Sequence, residues 1–197
     1  MKHLLSFLIL VFSNTLLFAD YEKGVIYTKN QNRVTCLIEV YSTGILVGNV
    51  SHVSYIIGSD TTRLSLDKIT AVEIGAEKFH VIALVESGEE NFNEAIDITH
   101  WVLAKLVQEG AAELYQYYHT GNSIYANGRP TKSFGKALHE RPILKKGNQA
   151  EVVYKMNYAA CIKRFFPKNG KDILSQDIGF ENISDAVQMG NQYLSGI

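Results

Sequence analysis

Residues 101–118 read WVLAKLVQEGAAELYQYY, and the reading of this stretch decides the fold class. Two periods compete at its start. Phe92, Ile96, Thr99, Leu103 and Leu106 recur at the spacing of one helical face, whereas Trp101, Leu103, Lys105 and Val107 alternate as a strand does. The next residues break the tie. Ala111 to His119 is aromatic and β-prone, and Glu109-Gly110 is a good two-residue hairpin connection. The pattern therefore predicts a hairpin of 100–108 with 111–118.

Upstream of the hairpin the chain is also strand-like. Gly24 to Thr28 is a short β-branched run, and Gln31-Asn32 signals a turn. Arg33 to Tyr41 then alternates, with Val34, Cys36, Ile38 and Val40 on one face. Ile45–Val47 lies between Gly44 and Gly48. Val50–Ile57, Thr61–Leu66, Ile69–Ile74 and Phe79–Val85 come next, separated by turn residues. Short strands at this spacing indicate an antiparallel meander, as a small barrel or a curled sheet. No proline precedes Pro130, which suits unbroken strands.

Downstream, Ser123–Ala126 is a short strand between two Gly/Asn turns. Pro130, Gly135, Pro142 and Gly147 argue against long regular elements over 129–150, and Glu151–Tyr154 fits a last strand. Asn157 to Phe166 then reads as a helix stopped by Pro167. Lys171–Ser175 fits one or two helical turns, and Asn182 fits the N-cap of a helix to Leu194. The expected class is α+β. An antiparallel β meander or small barrel with hairpins occupies 20–156, with a break into two sub-sheets near 86–99. A C-terminal helical segment, 157–197, packs on the sheet.

Residues 1–19 stand apart. Lys2 and His3 precede an apolar run from Leu4 to Phe12, and Leu16-Leu17-Phe18-Ala19 ends on a small residue. This is the order of a secretory signal peptide cleaved after Ala19, and the expected location is secreted or periplasmic. The apolar run, interrupted by Ser13-Asn14-Thr15, is shorter than the roughly 20 residues of a spanning helix, and no later stretch qualifies. Export makes Cys36 and Cys161 a candidate disulfide. The other reading is two buried thiols, because Cys36 lies on an apolar strand face and Cys161 in an apolar run.

Three patterns recur in a known group: Gly24-Val-Ile-Tyr-Thr28 near the mature start, Leu66-Asp67-Lys68-Ile69 closing a meander, and the 102–118 hairpin followed by C-terminal helices. In these the chain resembles the uncharacterised secreted proteins common in Bacteroidota-type bacteria. The resemblance implies export and the hairpin. It implies no activity and no catalytic residue.

Composition bounds the function classes. The 197 residues are 46% hydrophobic, with two cysteines and a formal net charge of −1, an ordinary globular mixture. Collagen-like, coiled-coil and disulfide-dense chains are excluded. Chemistry-bearing motifs are sparse. His52, His80, His100, His119 and His139 lie far apart without HxxxH or HExxH spacing, so no metal site is read, and His52 and His80 are expected on polar strand faces. No GxSxG, GxGxxG or GxxxxGK[ST] occurs, and no cofactor is implied. Lys163 and Arg164 beside Cys161 are the kind of neighbours that lower a thiol pKa, but a buried helix cysteine is the commoner case. Glu86, Glu89, Glu90 and Glu94 flank Gly88 and read as a solvated turn. Tyr115, Tyr117, Tyr118 and Tyr125 read as core or inter-sheet packing.

Charge is the uneven feature. Residues 129–171 carry Arg129, Lys132, Lys136, Arg141, Lys145, Lys146, Lys155, Lys163, Arg164, Lys168 and Lys171 against Glu140 and Glu151, a net of +9. Residues 20–128 carry −7 and residues 172–197 carry −4. Two readings compete. In one, the basic segment packs against the acidic sheet and tail. In the other, Arg129, Lys132, Lys136, Arg141, Lys145, Lys146, Lys163 and Arg164 form a face for an anionic envelope glycan or lipid. Export disfavours nucleic acid as a partner. The sequence favours a non-enzymatic binding or structural protein of the envelope. The alternative is an exported hydrolase with a site assembled from distant residues.

Overall fold

The computed structural model describes residues 20–40, 51–87, 97–121, 125–126, 129–130 and 137–196. Side chains are described over 21–40, 51–84, 101–118 and 140–196. The expected signal peptide, the strand at 45–47, the Glu89–Glu94 turn, and Lys132 and Lys136 fall outside these residues.

Ten strands form one antiparallel sheet: β1 (Asp20–Thr28), β2 (Arg33–Val40), β3 (His52–Ile57), β4 (Asp60–Ser65), β5 (Ile69–Ile74), β6 (Glu77–Ser87), β7 (Asp97–Gln108), β8 (Glu113–Gly121), β11 (Ala137–Lys146) and β12 (Gln149–Val152). β9 (Tyr125–Ala126) and β10 (Arg129–Pro130) make a separate two-residue ladder. The order across the sheet is β4-β3-β2-β1-β5-β6-β7-β8-β11-β12. The sheet does not close into a barrel. It also does not break near 86–99, since β6 and β7 pair from Phe79↔Lys105 to Ser87↔Asp97.

The placing of β5 beside β1 forces the sheet to curl. In a flat sheet β4 and β5 would lie four strand spacings apart, about 19 Å. Only the 3-10 turn Leu66–Lys68 joins them, a path of at most about 14 Å. The turn is tied on both sides: Leu66 N–H donates to Ser51 O (3.1 Å), and Lys29 N–H donates to Lys68 O (2.9 Å). Inside this first curl lie Ile26, Ile38, Val53, Leu66, Ile69, Val72, Phe79 and Leu103, all buried.

Register parity then shows a second curl of opposite sense. On β6 and β7, Phe79, Val81 and Leu103 face the first curl, while Ile82, Leu84, Val102 and Ala104 face the other side. That side also carries Tyr115, Tyr117 and Ile143, and β12 brings Ala150 and Val152 over it, with Cα atoms within 8 Å of β6. The sheet is thus S-shaped, with β6 and β7 buried on both faces. Their apolar run Phe79–Val85, broken only by His80, is what two-sided burial selects.

β11 corrects the expectation that 129–150 lacks long elements. Pro142 sits inside it, and its carbonyl accepts from Val153 N–H (2.8 Å) on the β12 side. Its missing N–H therefore faces the end of the β12 ladder, and no bond to β8 is lost. The 101–118 stretch forms the expected strands, but the connection is longer than two residues. β7 ends at Gln108 and β8 starts at Glu113, with a register shift between Leu106 and Gln108. Asn191 holds the turn by donating to Ala112 O and accepting from Ala112 N–H, both at 2.8 Å.

Three α-helices follow the sheet among the described residues: α1 (Tyr158–Phe165), α2 (Gly170–Ser175) and α3 (Ile183–Ser195). They cover the outer face of the second curl. Tyr158, Cys161, Ile162 and Phe165 recur at i, i+3, i+4 and i+7 and pack with Ala186 and Val187 on Leu114, Leu144 and Val153. α1 stops before Pro167, as expected. Asn182 occupies the N-cap of α3 but makes no side-chain capping bond. Gly196, at φ +74°, ends that helix in the left-handed region. No helix among the described residues is long and apolar enough to cross a membrane.

Candidate functional site

The basic residues divide into a set on the strands that is engaged by neighbouring groups and an exposed set on the helical segment, two of which, Lys155 and Arg164, are also ion-paired. On β11, Lys145 donates to Glu113 of β8 (2.5 Å), and Arg141 donates to the Tyr154 hydroxyl (3.0 Å) with its guanidinium 5.1 Å from the ring centroid. Lys146 donates to the carbonyl of Phe165 (3.1 Å), so it serves the C-terminus of α1, where four carbonyls lack helical partners. Lys105 of β7 pairs with Glu77. Arg129 lies in the β9–β10 ladder, opposite Ala126, and its side chain is outside the described residues.

On the helical segment, Lys155, Lys163, Arg164, Lys168 and Lys171 are all exposed. Arg164 pairs with Glu151, and Lys155 pairs with Glu181 (3.3 Å) at a highly exposed position. A hydrogen bond from the backbone first, and Lys155 second, hold the Glu181 carboxyl below its usual range. Lys163, Lys168 and Lys171 have no ion-pair partner among the described residues. Residues 155–171 contain five basic residues and no acidic one. α1 aims Lys163 and Arg164 outward because its other face is occupied by Tyr158, Cys161, Ile162 and Phe165. The bend after it is equally tight: a Cβ on Gly170 would stand 2.8 Å from Lys163 Cα.

A second cluster lies inside the second curl, where no sequence motif marks it. His80 is not on a polar face. It shares its side of β6 with Ile82 and Leu84, and its Nδ1 is 2.8 Å from the Tyr115 hydroxyl, with ring centroids 5.5 Å apart. Burial pushes the His80 pKa down, and burial together with Glu113 pushes the Tyr115 pKa well above the usual phenol range. At neutral pH this is an uncharged His–Tyr pair beside the Glu113–Lys145 ion pair. Its members are 35 residues apart on β6 and β8, a separation no local motif spans.

Neither cysteine is bridged. Cys36 is free and buried in the first curl, and Cys161 is free and buried under the helices, in a different apolar cluster. Cys161 Sγ donates to Glu151 Oε1 (3.1 Å). Burial, then Glu151, pushes its pKa up to about 12, and this outweighs the opposing effect of Arg164. The basic neighbours visible in the sequence thus fail to activate this thiol. Among the described residues, no three His, Cys, Asp or Glu side chains gather as a metal site would require.

One cleft, of about 380 Å³, lies between the β7–β8 turn and α3. Of its polar side chains, Asn191 ties α3 to Ala112 and Gln108 shares a hydrogen bond with Ser184 of α3 (3.2 Å), while Ser195 donates to carbonyls of its own helix. Compared with protein-family models, curated proteins and solved structures, the chain matches none.

Proposed function

We propose that this chain is an exported, non-enzymatic binding protein of the cell envelope, and that it engages an anionic glycan or lipid through the basic surface of its helical segment. One observation carries the reading. Lys163, Lys168 and Lys171 are exposed without an ion-pair partner among the described residues, on a stretch, 155–171, that holds no acid, whereas Lys105 and Lys145 of the sheet are tied to Glu77 and Glu113. Clustered cations concentrate anions at a surface without needing a pocket. Export rests on the signal-peptide pattern of residues 1–19, and the resemblance to secreted Bacteroidota-type proteins agrees with it.

The test is a salt titration of binding to an acidic polysaccharide and to anionic vesicles. Binding is expected at low salt and should weaken steeply toward physiological ionic strength, where the screening length is about 8 Å. The triple variant K163Q/K168Q/K171Q should bind neither probe. Salt-insensitive binding, or none at low salt, refutes the proposal.

A further inference from the structure

The basic surface continues into an apolar tip, and the combination fits a lipid bilayer better than a soluble glycan. Met156 is 100% exposed, the most exposed large apolar side chain among the described residues. It sits in the turn between β12 and α1, next to the half-exposed Tyr154. A single exposed methionine is ordinary on a protein surface. Its position is not. On α1 itself Ala159, Ala160, Lys163 and Arg164 are exposed and share one helical face, while the exposed Met156 lies in the turn before the helix and the exposed Pro167 and Lys168 in the turn after it. The exposed surface thus begins apolar at Met156 and the two alanines and turns basic at Lys163 and Arg164. Lys155 and Arg141 flank the tip. The nearest acids are already engaged: Glu151 by Arg164 and Glu181 by Lys155. Asp172, in the first turn of α2, is the exposed exception.

We propose that this face docks on an anionic lipid surface, with Met156 entering the headgroup–acyl boundary, Tyr154 at headgroup level and the lysines on lipid phosphates. The proposal rests on the anion-binding reading above and adds the occupant. Interfacial elements of this kind bury their apolar side about 5–10 Å deep, within reach of one side chain at the tip of a turn. A glycan can answer the lysines but offers no hydrocarbon to the thioether. A bilayer answers both.

The discriminating experiment uses the full mature chain with three probes: phosphatidylglycerol/phosphatidylcholine vesicles, phosphatidylcholine vesicles, and a soluble acidic polysaccharide. M156S changes only a solvent-exposed side chain, so the fold is retained. It should weaken binding to the anionic vesicles about tenfold and leave polysaccharide binding unchanged. K163Q and K168Q should each weaken vesicle binding about fivefold. Phosphatidylcholine alone should bind little. Equal vesicle affinity for M156S and the parent overturns the docking proposal while leaving the anion-binding reading intact, as does binding to polysaccharide alone. Binding to neither anionic probe at low salt overturns both.

Discussion

Gly190→Ala is the sharpest test of how the helices are locked together. Gly190 is buried in α3, and a Cβ there would stand 2.3–2.5 Å from three ring carbons of Phe166. Carbon–carbon contacts are optimal at about 3.5–4.0 Å, so the overlap exceeds about 1 Å at all three atoms. Phe166 is 1% exposed and packed among Leu144, Phe165 and Val187, so its ring has no open space to enter. Two effects oppose. Alanine favours the helix by about 1 kcal/mol over glycine, and forcing a methyl into a packed core costs about 1–3 kcal/mol. With three overlapping atoms the upper part of that range applies, and the net loss should be about 1–2 kcal/mol. In urea, followed by far-UV circular dichroism, this lowers the midpoint by roughly 0.5–1 M at an unchanged m-value. In the F166L background the methyl has room, so G190A should become neutral or stabilising. A midpoint for G190A at or above that of the parent refutes the packing argument. So does the same effect in both backgrounds.

The buried titratable groups supply two further expected outcomes. The His80 pKa is depressed in the fold by burial, although Glu113 and Glu109 oppose this and Lys145 and Lys78 add to it. The unfolded chain therefore takes up its proton first, near pH 6.5, and stability should be full above that pH and fall as pH drops toward the folded pKa. H80Q should remove that part of the pH dependence, and an identical pH profile for the two chains would rule it out. Both thiols should react with a thiol reagent after denaturation without reductant, and Cys161 should be inert in the native state at pH 8. Fewer than two reactive thiols after denaturation contradicts the free cysteines.

Much of the strand and helix pattern could be read directly. Alternation over Arg33–Val40 matches β2, and the stop at Pro167 and the N-cap position of Asn182 match the end of α1 and the start of α3. The features that escaped were tertiary. A period-2 pattern names one apolar face, but β6 and β7 bury both, so nothing local shows which way the sheet curls on either side. Proline in β11 looked prohibitive because the rule concerns the direction of its missing N–H, which only the pairing reveals. The same limit hid the His80–Tyr115 pair. Charge was legible as composition only. The sequence located the basic stretch, and the fold ties Lys145 to Glu113 of a neighbouring strand and Lys146 to the carbonyl of Phe165, while Lys163, Lys168 and Lys171 stay exposed.

The second curl has a consequence for aggregation. An open sheet leaves two strands with unpaired backbone groups, each a template on which another chain can add. Here β12 is drawn in against β6, which shelters one of the two. The other border is β4, six residues long, whose side chains from Asp60 to Arg63 are polar and exposed. A short, charged, threonine-rich margin is a poor template for a hydrophobic partner strand. Among the described residues, the border at β4 is thus guarded by its own side chains and the border at β12 lies close to β6.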